Sequence, residues 1–125
     1  MESPQEIQNE LVEMAIAWGE AFSNGDYKVA NRQNSKIAKR AKKLYHEDAV
    51  QCKNVLLPLL VHSNPSVRLM ASVYALEFGF DIQKAELVLT NIATDPNIRL
   101  IPVMAHINLS NWNKKKNANK KDEPN

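Results

Sequence analysis

From Ile7 onward the apolar residues recur three and four apart: Ile7, Leu11, Met14, Trp18, then Ala21 and Phe22. That spacing lays them on one stripe of a helix with 3.6 residues per turn. Ser3-Pro4-Gln5-Glu6 supplies the start: a serine cap, a proline in the first position, and a glutamate completing a capping box. The helix is predicted to run to about Ser23, where "SNGD" breaks it and Gly25 makes the turn. Asp26 then caps a second helix, with Tyr27, Ala30, Ile37, Ala38, Ala41, Leu44 and Tyr45 on its apolar side and an end near His46. The polar run "NRQNSK" interrupts that stripe midway. A third helix is expected in "DAVQCKNVLLPLLVH", bent or split by Pro58.

The chain then repeats itself. "NPSVRLMASVYAL" opens at Asn64, and "DPNIRLIPVMAHI" opens thirty-one residues later at Asp95. Pro65, Arg68 and Leu69 match Pro96, Arg99 and Leu100, and Val67, Met70 and Leu76 face Ile98, Ile101 and Ile107. The preceding segments align as well, with Lys53, Leu56, Leu57 and Val61 facing Lys84, Leu87, Val88 and Ile92. The unit is therefore a pair of helices, roughly 47–78 and then 79–110. Self-similarity at this period is the signature of a helical solenoid. In each unit Asn64 or Asp95 should cap the second helix, with proline in its first position. That helix carries two apolar stripes, one through Val67, Met70, Ala71, Tyr74 and Phe78, the other through Leu69, Val73 and Leu76. A helix apolar on two sides is sandwiched between neighbours. Pro102 stands where the first copy has Ala71, so the last helix should be kinked.

These residues resemble the turn and inner helix of a HEAT-like repeat: an acidic or amide residue, proline, two residues, arginine, then small and apolar residues. Pro58 in "LLPLL" is similar to the proline of the outer helix in such repeats. The span from about Asp48 to Trp112, with its closing "LSNW", further resembles a bacterial family of small HEAT-like domains that includes toxin-immunity proteins. The resemblance implies an all-α fold: about six helices in a short right-handed α-α superhelix, with the first helix capping one end. It also implies one-to-one binding to a cognate toxin domain of a contact-dependent or polymorphic toxin system.

Composition adds limits. The 125 residues suit a single domain with one core. Net charge is +2, yet the tail from Asn113 holds five of the sixteen basic residues and two of the fourteen acidic ones. Eleven basic and twelve acidic residues remain in 1–112, so the basic pI belongs to the tail. We expect one domain over 1–112 and a disordered, lysine-rich tail over 113–125. The start "MESPQEIQNE" has no basic stretch leading into an apolar one, and no apolar run approaches membrane-spanning length, so a cytoplasmic location is expected. Cys52, the single cysteine, reads as a small core residue beside Val55 and Leu56. His46, His62 and His106 have no metal-ligand spacing, no glycine-rich phosphate loop occurs, and no nucleophile has a recognisable base. Neither an enzyme nor a cofactor nor a metal site is expected.

Two charge stripes carry the functional expectation. Glu6, Glu10, Glu13 and Glu20 share one face of the first helix, turned from its apolar stripe. Lys36, Lys39, Arg40 and Lys43 share one face of the second. They could simply be solvated faces, paired across a helical hairpin. As a docking surface, an acidic stripe would steer a basic partner such as a nuclease domain. The expected contact set is Glu6, Glu10, Glu13 and Glu20, with Asp26 and Tyr27 at the loop. Two alternatives stand: an adaptor using a groove near Arg68 and Arg99, and a nucleic-acid-binding repeat using the basic stripe. The basic helix lacks interleaved aromatics and any recognition-helix pattern, which argues for a protein partner.

Overall fold

A computed structural model describes residues 2–121, with side chains through Ala118. It holds six α-helices and no strand among the described residues: α1 Pro4–Ser23, α2 Tyr27–Glu47, α3 Ala49–Leu56, α4 Pro65–Phe78, α5 Ile82–Ala93 and α6 Ile101–Lys121. A 3-10 turn, Leu57–Val61, follows α3. Successive helices pack on one another, and α1 also lies against α3 and α4.

The local signals act where the sequence puts them. Ser3 Oγ accepts from the Glu6 N–H at 3.2 Å, and Asp26 Oδ1 accepts from the Val29 N–H at 3.3 Å. At the end of α1, Gly25 takes φ 77°, which costs glycine nothing. The Asp26 N–H then reaches back to the Ala21 carbonyl at 2.8 Å. The long α2 is continuous through "NRQNSK", because Ala30, Ile37, Ala41 and Leu44 still form a buried stripe. Pro58 splits the third helix as expected. The turn after it would pair the Val55 carbonyl with residue 58, which has no N–H to give. Gln8 of α1 takes that place, its Nε2 donating to the Val55 carbonyl at 3.0 Å. The helix break thereby becomes a tie between α1 and α3.

The first copy of the repeat behaves as predicted. Asn64 Oδ1 accepts from the Ser66 and Val67 N–H groups at 2.8 and 3.4 Å, and Pro65 opens α4. Nine of the fourteen residues of α4 are buried, as befits a helix packed on α1 and α5 at once. Gly79, at φ 78°, closes it, with the Phe80 N–H bonded to the Ala75 carbonyl at 2.7 Å. Tyr45 stacks on Phe78 with ring centres 4.3 Å apart, and Phe80 closes on both, fixing the end of α2 against this turn.

The second copy departs from the first. Residues 95–100 form turns, and no helix begins at Pro96. Asp95 Oδ1 instead accepts from the Asn97 N–H at 2.9 Å in a local turn. The helix starts at Ile101, so Pro102 lies in its first turn and causes no mid-helix kink. A helix begun at Pro96 would carry Pro102 in its interior, where the ring clashes with a carbonyl and a hydrogen bond is lost. In the first turn that N–H has no intrahelical partner to lose. Nor does the helix stop where the tail was expected: α6 continues through Asn113 to Lys121. Lys116 Nζ reaches Glu86 Oε2 of α5 at 3.0 Å. Residues 122–125 of the expected tail lie outside the described residues.

Candidate partner-binding surface

Helices α1 and α2 form an antiparallel hairpin with opposite charge on its two arms. Between Pro4 and Ser23 there are four glutamates and no lysine or arginine. Between Tyr27 and Glu47 there are seven lysines and arginines and one carboxylate, Glu47. The arms are stitched at one place. Arg40 Nε lies 3.2 Å from Glu10 Oε2, and Arg40 Nη2 lies 3.2 Å from Glu2 Oε1. Arg40 is only 15% exposed, so its guanidinium is held between the helices.

This corrects the expected acidic stripe. Glu10 does not face away from the core. It sits at the edge of the apolar stripe, next to Met14, and turns toward α2, where it lines a shallow groove with Lys36, Lys39 and Lys43. Glu6, Glu13 and Glu20 are exposed, and no cation of the described residues lies within ion-pair distance of them. Asp26 is exposed while its carboxylate caps α2. Tyr27 is 58% exposed, its ring edge-on to Phe22 at 6.0 Å, and Phe22 stacks on Trp18 at 5.3 Å. The expected contact set thus divides into one paired carboxylate and five exposed groups strung along α1 and around the Asn24–Tyr27 corner. Salt screens both arms beyond a Debye length of about 8 Å.

Arg68 and Arg99 sit in different local settings. Arg68 Nη1 donates to the carbonyls of His62 and Ser63 at 2.8 and 3.0 Å. It therefore satisfies its own incoming turn. His62 Nδ1 accepts from the Asn64 N–H at 3.0 Å, completing that turn. Arg99 is exposed in the irregular segment before α6. The two arginines share a sequence frame and have different surroundings, because only the first copy has a helix at that position.

Other features constrain the chemistry. Cys52 is fully buried, its Sγ 3.9 Å from the Ala41 carbonyl, and burial pushes the thiol up to about 11. A thiol so shielded is not a nucleophile at neutral pH. Burial, with Glu77 adding to it, raises the Tyr74 phenol to about 12. A cavity of about 120 Å³ lies between α1, α2, α4 and α6, bordered by Trp18, Asn34, Tyr74 and Met104. Among the described residues no three His, Cys, Asp or Glu side chains gather as a metal cluster, and no helix is long and apolar enough to cross a membrane. Comparison with protein-family models, with curated proteins and with solved structures finds no match.

Proposed function

We propose that this chain is a cytoplasmic immunity protein that binds a cognate toxin domain one-to-one and blocks its active site. In this reading α3 to α6 are two HEAT-like pairs in a short right-handed superhelix, capped by α1. The observation that carries it is the acidic face of α1. Glu6, Glu13 and Glu20 are exposed and unpaired among the described residues, and Asp26 and Tyr27 extend that face around the corner. The resemblance to small HEAT-like immunity proteins agrees with it. A toxin that acts on nucleic acid presents a basic substrate cleft, and a carboxylate row whose backbone is already fixed in a helix complements such a cleft with only side-chain ordering left to cost. Glu10 would contribute from the rim, since Arg40 already holds it.

The test has two steps: the neighbouring reading frame should encode a large secreted protein, and the C-terminal domain of that protein is then co-expressed with this chain. Growth should be rescued by the intact protein. It should be lost with the triple change Glu6→Lys, Glu13→Lys, Glu20→Lys, and kept when Arg68 or Arg99 is replaced by Ala. Rescue that persists in the triple variant would place the contact elsewhere. Absence of rescue by the intact protein would remove the immunity reading.

A further inference from the structure

We propose that the exposed ridge of α2 is a second site, one that binds the phosphate backbone of a nucleic acid without reading its sequence. Lys28, Arg32, Lys36 and Lys39 are all exposed, and no carboxylate of the described residues lies within 4.0 Å of them. The other three cations of the helix have partners. Arg40 holds Glu2 and Glu10, Lys42 lies 4.0 Å from Glu77, and Lys43 lies 4.0 Å from Glu47. The four free charges stand at intervals of four, four and three residues. They therefore share one face over roughly 16 Å of helix, at 1.5 Å per residue.

This arrangement works against the helix itself. Lys28–Arg32, Arg32–Lys36, Lys36–Arg40 and Lys39–Lys43 are like charges four apart, a spacing that destabilises a helix. Faces that only need solvation intersperse the two signs. Glu2 and Glu10 offset the charge of Arg40, and Glu47 lies beside Lys43, but Lys28–Arg32 and Arg32–Lys36 have no carboxylate of the described residues within 4.0 Å of either member.

The partner's class follows from what the ridge lacks. Protein interfaces are anchored by buried aromatic and apolar groups and are depleted in lysine. No aromatic residue stands among these four cations, and the apolar stripe of α2 is buried in the core. Phosphate contacts need only cations and carry no sequence information. The want of aromatics between Lys28 and Lys39, which argued against nucleic acid at the level of sequence, leaves backbone binding as the chemistry these four cations offer. This site does not depend on the acidic face of α1 or on the toxin reading.

The measurement is fluorescence anisotropy with a labelled 20-base-pair DNA duplex and a single-stranded RNA of equal length, titrated with the full chain. Binding should weaken roughly 100-fold between 50 and 200 mM salt, as four released counterions require. Lys36→Gln alone should lower the salt slope by about one. Changing all four to Gln should abolish binding, with a melting temperature equal to or above that of the parent, because the repulsion is gone. Lys114→Gln with Lys115→Gln should leave binding intact. The proposal is overturned if the parent binds neither nucleic acid at 50 mM salt or if binding is lost with the α6 lysines. It is equally overturned if polyglutamate of matched charge competes as well as DNA, which would make the ridge a dock for acidic proteins.

Discussion

Gly19 shows how one residue sets the approach of two helices. It is buried in the interior of α1, where an alanine would ordinarily favour the helix. Here a Cβ would fall on Ser66 Oγ and stand 2.8 Å from Ser66 Cβ, at the start of α4. Gly19→Ala should therefore destabilise the fold by about 1 to 3 kcal/mol, as overpacking does. Adding Ser66→Gly should recover part of that in chemical denaturation; no recovery would mean that the helices do not meet there. Cys52 gives a second test at this scale. Its folded thiol titrates near 11 against 9.0 when unfolded, so its contribution to stability is whole below pH 9 and is lost as pH rises through 11. Tyr74 adds a similar loss between pH 10 and about 12. Alkaline melting curves should show the decline, and Cys52→Ala should lack the part between pH 9 and 11. A thiol reagent at pH 8 should label Cys52 only on unfolding. The sequence disclosed Cys52 as core through its apolar neighbours. It disclosed nothing of Gly19, because the reason lies on another helix.

Among the elements, the two copies of the repeat are the instructive pair. They share proline, arginine and leucine in register, yet only the first builds a capped helix at that place. Asn64→Ala should cost about 1 kcal/mol, the usual worth of an N-cap. Asp95→Ala should cost less, since Asp95 bonds a turn and caps no helix. Equal losses in urea unfolding would contradict the distinction. Most helix starts and stops were legible: Ser3, Gly25, Asp26, Pro58 and Asn64 each act locally, through a hydrogen bond or a backbone restriction within a few residues. Pro102 was also visible, and its consequence was misplaced. The match to the first copy favoured a helix through it, whereas the steric rule for proline moved the start of the helix to Ile101.

Across the whole molecule, the burial of corresponding residues shows where the packing ends. Met70 and Ile101 are both buried, but Leu76 is 6% exposed and its counterpart Ile107 is 48% exposed. The same apolar pattern is sandwiched in α4 and one-sided in α6, the last helix of the described residues. Its far end still contributes. Trp112 packs against the core, and Lys116 pairs with Glu86. A chain ending at Asn113 should lose under about 1 kcal/mol, the scale of one partly exposed ion pair. One ending at Asn111 should lose at least about 2 kcal/mol with the indole. Thermal unfolding of both truncations checks this, and similar melting points would deny Trp112 its role. The charged hairpin follows the same division. Both stripes could be read from helical spacing alone, but the pairing of Glu10 with Arg40 could not, since it joins residues thirty positions apart. By itself the sequence determined α1 to α5, the caps at Ser3, Asp26 and Asn64 and which faces are apolar or charged, because those depend on neighbours within about one turn; the start and length of α6 escaped it. Tertiary structure alone decided which repeat copy is enclosed, which carboxylate is paired and which cations stay free, because those depend on what the fold brings alongside.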